Sequence, residues 1–397
     1  MNKFKAVKIA ACTVLAAALA LFFITEYAGG RQSNFMTFMT VGAVIPFDAN
    51  SGASFYAPGG KGFFFASRDG ITYYTEDGSI QMSELFTMQN PMLYGEGQIA
   101  GVVEHGGYDA YVFNTQRLLY HHSFSNPIVN FTVNEMGFSC VVTKRGDGYV
   151  SYVYNHNGHL ILEKVEPNNV LVISTAISRD GRIWATAYLD VGGVQYNSFI
   201  SFRYLNRSEA APFNDDIFAS LRGENIPELN NQFFGIMRYM DGNNLVVVTD
   251  KSVFCIQESQ PSRASWVVPL DNELDHVRFH GGHVALAMGR GLLNRLAEPV
   301  GRVALLDMGG ERVLEYDTGE KVQNLSLSSH GIIIGAGGRF DAINTRGQEL
   351  WGFDADYDAR GAVFLDANDK ILLYSNTQAS VMKQVRVSGN RGDNGIE

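Results

Sequence analysis

Apolar and polar positions fall into short strand-like runs divided by tight turns from about residue 53 to the C-terminus. The pattern is clearest in 130–165, NFTVNEMGFSCVVTKRGDGYVSYVYNHNGHLILEKV. Asn130–Val133 alternate, as a half-buried strand does, and Asn134–Gly137 reads as a turn. Phe138–Thr143 is a continuous apolar run, the mark of a strand buried on both faces. Arg145–Gly148 is a second turn, and Tyr149–Tyr154 is rich in β-branched and aromatic residues. Asn157-Gly158 predicts a two-residue type I′ hairpin turn, which needs positive φ at both central positions. Leu160–Val165 makes a fourth strand. Four such strands form one antiparallel sheet, and one sheet cannot bury its own faces.

The unit recurs. Its second strand opens at Gly62, Gly97, Gly137, Gly181, Gly242, Gly282 and Gly331, and once more without the glycine at Asp369. The spacing, roughly 35 to 60 residues, is close to the period of propeller blades. Glycine suits the preceding turn, where other residues adopt the required backbone only at a cost. The fold class expected is all-β: a β-propeller of four-stranded blades, because radial repetition leaves only short, protected edges. Eight units are counted. A seven-bladed ring is the alternative, since the long interval around 205–231 blurs the count. The last unit is one strand short, and Phe35–Phe47 would supply it, pinning the two chain ends together.

The N-terminus departs from this pattern. Lys3, Lys5 and Lys8 in the stub 1–8 precede an apolar run, IAACTVLAAALALFFIT. As a helix the run spans about 25 Å, a little short of a roughly 30 Å hydrocarbon core, and its flanks extend it. The expectation is a single-pass signal anchor at 9–28 with the N-terminus cytoplasmic, a tether at 29–34, an extracellular propeller at 35–388 and a flexible polar tail at 389–397. Glu26 stands where signal-peptide cleavage wants a small residue, which favours an uncleaved anchor. The formal charge of −10, with scattered Lys and Arg, argues against nucleic acid. Cys12, Cys140 and Cys255 lie in apolar segments and read as small hydrophobes rather than a disulfide.

Chemistry-bearing motifs are sparse. Asp354, Asp356 and Asp358 alternate like the start of a calcium loop. An EF-hand would then need glycine and glutamate where Ala359 and Leu365 stand, so a solvated acidic turn is the preferred reading. His276, His280 and His283 sit in a strand–turn–strand pattern that fits no zinc spacing. No Gly-x-Ser-x-Gly elbow and no phosphate-cradling glycine loop occurs. No metal and no cofactor is predicted. The interval 205–231 is a candidate binding loop, with Asn214, Asp215 and Asp216 capping a short helix that carries Phe218 and is followed by Arg222.

The segment from Ala342 to Trp351, AINTRGQELW, resembles the repeat of quinoprotein-like propellers, in which an Asp or Asn turn with glycine leads to a tryptophan docked between blades. Elsewhere the pattern is degenerate: Asp77-Gly78 with Met82, Asn157-Gly158 with Leu162, Gly310 with Tyr316. The whole layout also resembles an uncharacterised family of Gram-positive bacterial membrane proteins with one transmembrane helix and a quinoprotein-like propeller. That resemblance implies location and fold and carries no catalytic residues across. The expected role is therefore a membrane-anchored, extracytoplasmic scaffold that binds a protein or an envelope polymer. The alternative is an enzyme using the central channel, with a quinone or a glycan as substrate.

Overall fold

Each expected unit becomes one four-stranded antiparallel sheet with its strands in sequence order from inside to outside. The computed structural model describes residues 35–59, 62–193, 196–206, 217–289, 301–355, 359–365 and 370–388. The blades comprise 54–85, 91–123, 128–165, 170–222, 234–269, 273–317 and 322–354. Blade 8 is built from 359–388 and completed by Phe35–Pro46, which pairs as its outermost strand. The count is eight, and the short last unit is closed by the N-terminal strand. Residues Met39–Lys383 form one compact unit, and the chain ends form another, of which only the strand continuations 35–38 and 384–388 are described. The anchor segment 9–28, the tether and the tail lie outside the described residues. Among those residues no helix is long and apolar enough to cross a membrane.

The blades hold together because each sheet buries a face on its neighbour. Eight apolar clusters lie one at each blade-to-blade junction, and that between blades 8 and 1, built on Phe63, Leu365, Leu372 and Val381, closes the ring. The second strands supply much of this core: Leu245–Thr249 is buried at every position, as the continuous apolar runs require.

The turn between third and fourth strands explains the repeat motif. In blade 3, Asn155 Oδ1 accepts the Asn157 and His159 N–H groups, and Asp307 and Asn344 do the same in blades 6 and 7. The predicted type I′ turn at Asn157-Gly158 is therefore not formed. The Asx bonds start the turn earlier, only Gly158 takes positive φ, and the extra residue becomes a bulge at Val153/Tyr154. The glycine also makes room. A Cβ on Gly158 would meet Tyr120 at 2.6 Å, and one on Gly310 would meet Trp266 at 2.7 Å, both from the outermost strand of the preceding blade. Trp351 fills the equivalent position at the junction of blades 7 and 8, against Phe364.

Most blade-opening glycines do turn the chain with positive φ, Gly97, Gly137, Gly181 and Gly242 among them. In blade 6, however, Gly281 rather than Gly282 takes that role.

Candidate functional site

Innermost strands of four-stranded meanders end in turns on one face of the ring, and here those turns rim a cavity of about 510 Å³ at the end of the central channel. In four blades a charged or polar residue stands just before the turn glycine: Glu96 before Gly97, Asp180 before Gly181, Asp241 before Gly242, His280 before Gly281. That regularity brings charges from several blades to one place.

The wall from blades 2 to 5 is an ion-pair network. Arg179, in the blade 4 turn, pairs with Glu135 of blade 3 at 2.7 Å and also with Asp241 of blade 5. Arg238, on the innermost strand of blade 5, reaches Glu96 of blade 2 at 3.5 Å and the Gly95 carbonyl at 3.4 Å. Blades 2 and 5 are not neighbours, so this pair spans the channel. Burial holds the Glu96 carboxyl above its ordinary range, opposed by the Arg238 charge. Arg179 N–H donates to Asn243 Oδ1, and Asn243 Nδ2 donates to Asp180, tying the turns of blades 4 and 5.

The wall from blades 6 to 8 is different. Arg278 projects from the innermost strand of blade 6 and donates to the neighbouring Val277 carbonyl at 2.8 Å. Among the described residues no carboxylate lies within ion-pair distance of it. Solvent in the channel reaches its side chain, yet the surrounding protein crowds it enough to lower its pKa, chiefly by desolvation. Tyr374 of blade 8 lies beside it, stacked on Phe55 of blade 1 at 4.7 Å. Asn324 and Ser326 of blade 7 are buried and line the same cavity. Burial lowers the His280 pKa, with Arg238 and two further histidines adding to the effect.

The interval 205–231 contributes structure. Where a helix was expected after Asn214–Asp216, Ile217–Arg222 is the outermost strand of blade 4, paired with Asn197–Tyr204. Alternation decides it: Leu221 points to the core and is fully buried. Phe218 stacks on Tyr204 at 4.1 Å, and Arg222 lies over the Phe199 ring at 4.9 Å and 3.7 Å from Glu224. Both side chains are thus engaged by their own blade. Asn214, Asp215 and Asp216 lie outside the described residues. The roots of the segment, Tyr204 and Phe218, border a cavity with Gly242, Asn244 and Glu258, at the same end of the ring as the charged turns.

Asp354 pairs with Arg339 at 3.6 Å, while Asp356 and Asp358 are outside the described residues. Among the described residues no three His, Cys, Asp or Glu side chains converge on a metal position. His276, His280 and His283 occupy the predicted hairpin, with His280 on the channel wall. Cys140 and Cys255 are buried and unpaired, and burial pushes their thiols up to about 12 and about 11. The reading by motif missed Arg238, Arg278 and Glu96, because no catalytic pattern includes them. The acid shared by three turns, Glu96 before Gly97, Asp180 before Gly181 and Asp241 before Gly242, was the available signal for Glu96.

A family model matches residues 37–384, which is nearly the whole ring. The chain belongs to the family of unknown function DUF5711. This DUF5711 chain matches no functionally curated protein in sequence. Its fold is similar to that of BamB from Moraxella catarrhalis, with 14% identity, 87% of this chain and 100% of that chain covered and a TM-score of 0.51. It is also similar to the Dos1 propeller, with 8% identity, coverage of 87% and 95%, and a TM-score of 0.52. At these identities the likeness extends to the propeller fold alone.

Proposed function

We propose that this protein is a binding scaffold: a propeller held on the outer face of the cell membrane of a Gram-positive bacterium by the apolar segment 9–28, docking a protein or an envelope polymer through the face that carries the channel mouth. One observation carries the reading. Charged turn residues of blades 2 to 5 gather at that face, beside Tyr204 and Phe218, the roots of the blade 4 interval that holds 207–216. Loops on a rigid ring are the usual carriers of recognition. The experiment is mild cross-linking of the full-length chain in its own host, followed by affinity capture and mass spectrometry. Wild type is compared with a deletion of 207–216 and with Arg182→Glu, Arg182 lying in the blade 4 turn 3.8 Å from Asp180 and 4.0 Å from Glu258. The reading expects one envelope component whose capture falls in both variants. Equal capture by all three, or cross-links confined to the outermost strands, contradicts it.

The channel-enzyme alternative draws on a single feature, the crowded Glu96 carboxyl near Glu135. Such an acid with a raised pKa is a common component of glycan hydrolysis. Release of reducing ends from host envelope glycans by wild type, abolished in Glu96→Gln, would support it.

A further inference from the structure

The channel wall of blades 6 to 8 holds hydrogen-bond donors without partners. Arg278 uses one N–H on the Val277 carbonyl and has no carboxylate near it among the described residues. Asn324 is 6% exposed and spends its Oδ1 on the Ala362 N–H, at 3.1 Å, while its Nδ2 has no partner among those residues. Ser326 is 8% exposed, and its hydroxyl also has none. The Tyr374 hydroxyl faces the same cavity, its ring fixed on Phe55. Arg278 is exposed to solvent within the channel, so these donors are open to an acceptor that enters the cavity. The two walls are therefore unequal: the acids of the facing wall, Glu96, Glu135 and Asp241, are each paired with Arg238 or Arg179. Space is kept for these donors at Gly361, where a Cβ would come within 2.7 Å of Asn324 Nδ2.

We infer that the channel is an oxyanion-binding site, with Arg278 as the charged anchor and Asn324, Ser326 and Tyr374 as neutral donors around it. The ligand group is a carboxylate or a phosphate on a molecule, or on the end of a chain, slim enough to enter a cavity of about 510 Å³. A guanidinium fork matches either group with two parallel bonds, and neutral donors on the same wall complete its coordination. The wall binds such a group whether or not the mouth docks a partner.

The test is titration of the purified full-length chain with inorganic phosphate and, in a separate arm, with acetate, read by calorimetry and by thermal unfolding. Wild type is compared with Arg278→Gln, Tyr374→Phe and the surface control Arg302→Gln. The expected result is saturable stabilisation of wild type by one or both anions and affinity weakened about tenfold or more in Arg278→Gln, the loss of a charge-assisted bond. A smaller loss is expected in Tyr374→Phe and none in Arg302→Gln. Without anion, Arg278→Gln should unfold at the same temperature as wild type, because the solvent-reached guanidinium holds only the Val277 carbonyl; a residue with a structural role would lose stability. Should Arg278→Gln fail to fold, the inference fails with it on that point, and Tyr374→Phe still tests the donor set. Equal anion responses in wild type, Tyr374→Phe and Arg278→Gln overturn the site, as does the absence of any response.

Discussion

Arg238 on the fifth blade meets Glu96 on the second, 3.5 Å apart, across the central channel. The pair links blades that share no side, and it sits where burial already disfavours the Glu96 charge. Removing the arginine leaves that charge crowded and unpaired. Arg238→Ala should cost about 1–2 kcal/mol at pH 7, discounted because both side chains keep some solvent contact. The sign of the pH dependence follows. A carboxyl whose folded pKa is raised favours the folded state most when protonated, below its unfolded value of about 4.3, and that contribution is lost as pH rises through the folded pKa. The penalty in Arg238→Ala should therefore shrink between pH 7 and about pH 4.5, measured by urea unfolding. An equal penalty at both pH values would show that Glu96 is not the group left stranded.

Histidines should set a second pH window. Burial lowers the pKa of His122, His276 and His280 in the folded protein. The unfolded chain then binds more protons near pH 6, so stability is present above the unfolded value of about 6.5 and falls as pH drops below it. His122 stacks on Tyr154 at 4.0 Å and bonds the Gly158 carbonyl at 2.9 Å. Melting curves between pH 7.5 and 5.5 should show the decline, and His122→Gln should flatten it. A melting temperature that stays level or rises on acidification contradicts the assignment.

Blade junctions respond to their docking residues. Trp351 is 3% exposed and packs on both Phe353 and Phe364. Trp351→Ala should cost about 3–5 kcal/mol in chemical denaturation. Gly310→Ala should cost about 1–3 kcal/mol, since the turn holds φ at 81° and the added Cβ would strike Trp266. If Gly310→Ala were neutral, the close approach of turn and indole would not be a constraint.

Closure of the ring depends on the N-terminal strand. Phe47 N–H donates to the Thr377 carbonyl at 2.8 Å, and the Phe47 ring lies 5.3 Å from Phe65. Removing 35–47 leaves the strand Gln378–Ser388 as an open edge and should give an aggregating product on size-exclusion chromatography. The milder Phe47→Ala should remain monodisperse and lose about 1–2 kcal/mol.

Much of this fold was legible in sequence because a propeller repeats one local rule. Continuous apolar runs after Gly97, Gly137 and Gly331 could only be doubly buried strands, and the missing strand of the last unit pointed to Phe35–Phe47. Turn chemistry was read less well. Asn157-Gly158 has the composition of a type I′ turn, but the side chain of Asn155 competes for the backbone and shifts the turn. The interval around Phe218 reads as helical locally because Asn214–Asp216 suit a helix cap, whereas pairing with Phe199–Arg203 is a long-range contact that no local pattern carries. The channel residues were hidden for the same reason. Arg238 and Glu96 are 142 positions apart, and only ring closure brings them together.

The central claim is that the face bearing the charged turns is the working surface. Hydrogen exchange with mass spectrometry, comparing the full-length chain in its native membranes with the purified chain, tests it most directly. Slowed exchange in the membrane sample is predicted at 134–138, 178–182 and 240–244, around Glu135, Arg179 and Asp241. Unchanged exchange there, with protection on the outermost strands instead, would contradict the account.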